Sequence, residues 1–122
     1  MQKILIIEDE VKIREELSSF LRNNGYEVLI IDKFENTLDD ILKMNVDLIL
    51  MDIQMPHMDV YKATQTIRQL SNKDKTTIPI TALTANAFEE DRKKAVAQGM
   101  NGHISKPIDV DKIEKVLLSI LK

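Results

Sequence analysis

Three runs of four apolar residues, Ile4–Ile7, Val28–Ile31 and Leu48–Met51, punctuate the first half of the chain, and none alternates with polar residues. Continuous apolar runs of this length fit strands buried on both faces, as in a parallel sheet covered by helices. Each run is followed by helical spacing. Ile13, Leu17, Phe20 and Leu21 form one stripe after the first run, and Phe34, Leu38, Ile41 and Leu42 repeat the same offsets after the second. Asn23, Asn24 and Gly25 supply a helix stop. A weaker stripe, Tyr61, Thr64 and Ile67, follows the third run and the loop containing Pro56. The pattern predicts a fourth strand over Ile78–Leu83, with Pro79 at its start. Asn86, three residues before Glu89, predicts a helix running to about Gln98 and ended by Gly99. A short strand around Gly102–Ser105 follows, and Asp109 is placed to cap a last helix carrying Ile113, Val116, Leu117, Ile120 and Leu121.

Five strands alternating with five helices predict right-handed crossovers. The expected fold class is α/β: a three-layer α/β/α sandwich with a parallel five-stranded sheet in the order 2-1-3-4-5. The length of 122 residues suits one domain spanning 1–122. With 17 Lys and Arg against 20 Asp and Glu, the net charge of -3 argues against a nucleic-acid partner, which would need a basic face. No cysteine is present, which excludes disulfide frameworks, thiolate zinc sites and cysteine nucleophiles. Apolar runs this short exclude a membrane span or a signal-peptide core in this sequence, so a cytoplasmic setting is expected.

Ligands of open α/β sheets bind beyond the carboxyl ends of the strands. The first predicted strand leads into Glu8, Asp9 and Glu10, the third into Asp52, the fourth into Thr84 and the fifth into Lys106 and Pro107. Asp32 follows the second, at the sheet edge. The strand order brings Glu8, Asp9 and Asp52 together, with Thr84 and Lys106 alongside. Three carboxylates in one crevice call for a cation, and an all-oxygen set with room for water suits Mg²⁺. Metal, ammonium and hydroxyl together can stabilise a phosphoryl group, with an aspartate as nucleophile. Taken singly, each residue has an ordinary reading: Glu8–Glu10 as helix-capping acids, Asp52 as a turn residue, Thr84 as structural and Lys106 as solvated.

The segments Ile4-Leu5-Ile6-Ile7-Glu8-Asp9-Glu10, Leu50-Met51-Asp52-Ile53-Gln54-Met55-Pro56, Ala82-Leu83-Thr84-Ala85-Asn86-Ala87 and Ser105-Lys106-Pro107 lie in this order along the chain. In these segments and their spacing, over essentially its whole length, the chain resembles the receiver domain of two-component response regulators. The resemblance implies a flavodoxin-like (βα)5 fold and a phosphoacceptor that assists its own phosphorylation rather than an enzyme. It implies that Asp52 takes a phosphoryl group from a histidine kinase or histidine phosphotransfer protein. By the same resemblance, Mg²⁺ is held by Asp9, Asp52 and the backbone carbonyl of Gln54, with Glu8 acting through water. Lys106 then contacts the phosphoryl group, Thr84 swings toward it, Ala85 leaves room for it, and the Lys106–Pro107 peptide is cis. His103 matches the position where relatives carry an aromatic switch residue. His57, alone in its loop, reads as exposed.

Two positions depart from the family pattern. Val60 stands where Gly is usual, so the loop after the third strand is expected to be reshaped or strained. Thr81 replaces an apolar residue, and if it faces the core its hydroxyl needs a backbone partner. Residues 1 to about 50 look like receivers of DNA-binding regulators, and those from about Met51 onward like receivers of hybrid sensor kinases, a change of accent that predicts a recombined or engineered receiver. With the sequence ending at Lys122, the expectation is either a receiver with no output domain or a fragment of a longer protein, and a monomer or weak homodimer. Two rival readings are a non-phosphorylated interaction module of the same architecture and a flavin-binding electron carrier. The second would want a phosphate-cradling loop where this chain has Glu8-Asp9-Glu10.

Overall fold

The structure is a computed structural model, and it describes residues 2–8, 10–31, 46–52, 64–65, 67–68, 78–84, 93, 97, 99–105 and 110–120. Five strands, β1 (Lys3–Ile7), β2 (Glu27–Ile31), β3 (Leu48–Asp52), β4 (Ile80–Thr84) and β5 (Gly102–Ser105), form one sheet. Its order is β2-β1-β3-β4-β5, and every neighbouring pair is parallel. Two helices are described at length, α1 (Val11–Asn23) and α2 (Val110–Ile120). Thr64, Gln65, Ile67, Arg68, Lys93 and Ala97 are also helical. Among the described residues no helix is long and apolar enough to cross a membrane.

In β1 and β3 the unbroken apolar runs have a simple cause: both faces of the sheet are covered there, whereas β2, at the sheet edge, leaves Ile30 exposed rather than buried on both faces as its run predicts. Leu5, Ile7, Ile49, Met51, Ile80 and Ala82 join one buried cluster with Ile67 and Met100. The alternate residues Ile4, Ile6, Leu48, Leu50, Leu83 and Ile104 join a second cluster under α1 and α2. Each helix contributes the stripe that its spacing predicts. Ile13, Leu17 and Leu21 of α1 and Ile113 and Leu117 of α2 are buried, while Phe20 and Val116 are partly so. The stripe of the second predicted helix, and Tyr61 and Leu121, lie outside the described residues.

The stop after α1 works as its residues imply. Gly25 adopts a φ of 88°, which a side chain would oppose. Its N–H donates to the Arg22 carbonyl at 3.1 Å, and the Tyr26 N–H donates to the Leu21 carbonyl at 3.0 Å. These two bonds make a Schellman motif that turns the chain back into β2.

Two expectations change. Strand β4 begins at Ile80 rather than Ile78. Pro79 has no N–H for a ladder, although its carbonyl accepts the Ile49 N–H at 2.9 Å. Thr81 is fully buried, but its Oγ1 has no hydrogen-bond partner among the described residues, backbone or otherwise. It faces the register position of Gly102, where there is no side chain to meet it. A buried hydroxyl without a partner costs about 1–3 kcal/mol. Thr81→Val keeps the branched shape and removes the polar atom. It is expected to raise the thermal midpoint by about 3–5 °C, the shift that ~1 kcal/mol gives in a domain of this size. Differential scanning calorimetry checks this, and a lowered midpoint would show that the hydroxyl contributes to stability.

Candidate functional site

All five strands run in the same direction, so their carboxyl ends share one edge of the sheet. Glu8 follows Ile7, which is in register with Met51, so the next step along the ladder sets Glu8 beside Asp52. Asp52 is in register with Leu83, one residue before Thr84, and Thr84 is in register with Ser105. Relative exposures are 0% for Glu8, 3% for Asp52 and 2% for Thr84, as low as those of the core. Two carboxylates and a hydroxyl on adjacent strands are thus largely withdrawn from water at one rim.

Glu10 occupies the N-cap position of α1 but makes no side-chain capping bond. Glu8 turns back instead, its Oε1 accepting the Glu10 N–H at 3.1 Å. From the other side, Arg14 Nη1 donates to the Glu8 carbonyl at 3.3 Å. Ser18 Oγ donates to the Arg14 carbonyl at 2.7 Å, which ties the next turn of the helix to the same residue. The Arg14 contact is invisible in the sequence, because an Arg in the second turn of an amphipathic helix reads as a solvated charge.

Asp9, Gln54, Ala85, Lys106, Pro107, His57 and Val60 lie outside the described residues, and so do Asp32 and the Lys106–Pro107 peptide. Chain connectivity puts Asp9 directly after Glu8 and Lys106 directly after Ser105. His103 is half-buried on β5, in register with Ala82 and therefore on the face opposite Ile104. Among the described residues no group of three or more His, Cys, Asp or Glu side chains is gathered for a metal. Glu8 and Asp52 are the described carboxylates at the rim. Their oxygen donors and their burial side by side fit a small hard cation such as Mg²⁺ better than a soft transition metal.

A second polar cluster, unforeseen in the sequence, lies at the opposite, amino edge. Arg68 Nε donates to the Gly99 carbonyl at 2.9 Å, Nη1 to the Ile78 carbonyl at 2.7 Å and Nη2 to Asn101 Oδ1 at 2.8 Å. Asn101 Oδ1 also accepts the Ile80 N–H at 2.9 Å. Burial pushes the Arg68 guanidinium below its ordinary range. Gly99, at φ 102°, leaves the space this side chain uses: a Cβ there would meet Arg68 Cγ at 3.1 Å. The cluster binds a helix to the entries of β4 and β5, away from Asp52.

The family model described as the response regulator receiver domain matches residues 4–118. Sensor histidine kinase RcsC of Escherichia coli is 34% identical over 114 residues, which cover 93% of this chain but 12% of the kinase's length. The receiver domain of sensor histidine kinase PA1611 from Pseudomonas aeruginosa, solved with a magnesium ion coordinated in its active site cleft, is 32% identical. It superposes with a TM-score of 0.84, covering 98% of this chain and 97% of that one. The receiver domain of Saccharomyces cerevisiae Ssk1, solved with the histidine phosphotransfer protein Ypd1, is similar too. The co-crystal structure aligns at 25% identity and a TM-score of 0.86, over 98% of this chain and 88% of that one. The strand order, the rim at the carboxyl edge and these likenesses agree, and the chain belongs to the response regulator receiver domain family of two-component systems.

Proposed function

We propose that this chain is the phosphoacceptor of a phosphorelay, taking a phosphoryl group onto Asp52 from a phosphohistidine. The observation that carries this reading is the burial of Glu8 and Asp52 side by side at the carboxyl edge, with Thr84 buried one residue further along the next strand. Buried, adjacent carboxylates are a poor choice for stability and a good one for collecting a divalent cation. Asp52 and Asp9, with the Gln54 backbone carbonyl, are the residues that would hold Mg²⁺, Glu8 contributing through water. When bound, Mg²⁺ supplies positive charge against the carboxylates and the phosphoryl oxygens.

The chain's own groups do the rest. An Asp52 carboxylate oxygen attacks the phosphorus in line; the new O–P bond forms as the P–N bond to the donor imidazole breaks. Lys106 neutralises charge on a phosphoryl oxygen, and Thr84 donates a hydrogen bond to another. Ala85, being small, leaves space there. The added charge draws Thr84 and Lys106 toward the edge and biases the β4 and β5 ends, with His103 on β5 as the switch position. Water later cleaves the acyl phosphate and resets the domain. The donor is a histidine kinase or a histidine phosphotransfer protein, a reading supported by the Ypd1 complex of the similar Ssk1 receiver and by likeness to kinase-borne receivers. The output is altered affinity for a protein partner, in the cytoplasm.

The test is incubation with Mg²⁺ and acetyl phosphate, followed by intact-mass measurement. Wild type is expected to gain one phosphoryl group, and Asp52→Asn none. A folded wild-type protein that gains nothing from acetyl phosphate or from a phosphorylated transfer protein would favour the non-phosphorylated interaction module.

A further inference from the structure

Glu8, at the end of β1, is engaged both by Glu10 and by a cation from α1. Glu8 and Glu10 flank Asp9 in sequence. The Glu8 carboxylate fixes the Glu10 N–H, while Arg14 Nη1 fixes the Glu8 carbonyl from α1. Arg14 is itself anchored: its N–H donates to the Glu10 carbonyl at 3.0 Å, and its carbonyl accepts Ser18 Oγ at 2.7 Å. The half-buried Arg14 therefore bridges the end of β1 and the first turns of α1.

We infer that Arg14 is a positioning residue for the acidic end of β1, holding Glu8 and Glu10, which flank Asp9 in sequence, in the arrangement that receives a divalent cation. The inference rests on the Mg²⁺ reading above. It also makes a prediction opposite in sign to simple electrostatics. If Arg14 acted only as a nearby charge, removing it would tighten Mg²⁺ binding by lifting a like-charge repulsion. If it positions the acidic end of β1, removing it weakens binding, as loss of partners behind a metal ligand commonly does.

Calorimetric titration with Mg²⁺ alone separates the two. Arg14→Met is expected to bind Mg²⁺ about tenfold more weakly than wild type. Arg14→Lys, which keeps a cation able to reach the same carbonyl, is expected to recover most of the affinity. Arg14→Met that keeps its far-ultraviolet dichroism and binds Mg²⁺ as tightly as wild type, or more tightly, overturns the inference. A measurement that needs no variant runs beside it. In isotope-labelled wild type, the Glu10 amide and Arg14 side-chain resonances are expected to shift along one Mg²⁺ isotherm, and an Arg14 signal blind to Mg²⁺ overturns the inference equally. Wild type that binds no Mg²⁺ overturns the metal reading itself, and its own titration distinguishes that failure from a failure of Arg14 alone.

Discussion

In Mg²⁺-free buffer, Asp52→Asn is expected to melt above the wild type, and saturating Mg²⁺ is expected to reverse the order. Asp52 and Glu8 stand on neighbouring strands, which are spaced about 4.8 Å apart, and both are almost fully buried. At an effective dielectric constant near 20, two like charges at roughly 5–6 Å repel by on the order of 3 kcal/mol. Neutralising Asp52 relieves that repulsion and forfeits the favourable contacts of its charge, among them the attraction to Lys106 that the proposed site implies. Solvent screening and those lost contacts reduce the net gain to ~1 kcal/mol, or about 3–5 °C. In the wild type, Mg²⁺ at a hundred times its dissociation constant adds about 2.7 kcal/mol. Asn is a poorer ligand for a hard dication, so the variant gains little from the metal. Scanning fluorimetry with Mg²⁺ and with a chelator reads both effects. A variant that melts below wild type in the chelator would remove the repulsion argument, even if phosphorylation is lost as expected.

The same pair of residues shows how the sequence could be read so far. Strands buried on both faces leave no alternation, which accounts for the runs Ile4–Ile7 and Leu48–Met51; Val28–Ile31 reads the same way in sequence, although β2 lies at the sheet edge and leaves Ile30 exposed. Once β1 and β3 are neighbours, Glu8 and Asp52 must share a rim; no side-chain detail is needed. What the sequence hid was set by single hydrogen bonds. Glu8–Glu10 looked equally suited to capping a helix, and only the turn back from Glu8 Oε1 to the Glu10 N–H tells the two apart. Thr81 was flagged as needing a partner, yet strand periodicity cannot say whether one is within reach, and none is among the described residues. Arg68 and Asn101 gave no signal at all. Their partners are carbonyls and an N–H whose positions depend on tertiary packing, although Gly99 at the same place was foreseen as a helix stop.

Arg68→Met is expected to cost about 3 kcal/mol and lower the midpoint by roughly 10 °C, while leaving phosphorylation of the folded protein intact. Met matches much of the aliphatic volume, so the loss is chiefly one of hydrogen bonds. The carbonyls of Gly99 and Ile78 each lose a charged donor. Asn101 Oδ1 loses one of two and keeps the Ile80 N–H. A partly buried acceptor left without its donor costs about 1–3 kcal/mol, so two of them dominate the sum. Arg68→Lys recovers little, because a single ammonium cannot reach three oxygens held at separate points of the chain. The guanidinium stays charged at any ordinary pH even with its pKa lowered by burial, so the loss is constant across neutral pH. Urea unfolding is the measurement: the midpoint falls while the slope is unchanged if the native fold survives. Because the cluster lies at the amino edge and Asp52 at the carboxyl edge, the phosphoryl adduct on acetyl phosphate treatment is expected to match wild type below the melting range. Loss of the adduct in folded Arg68→Met protein would mean that the two edges of the sheet are coupled.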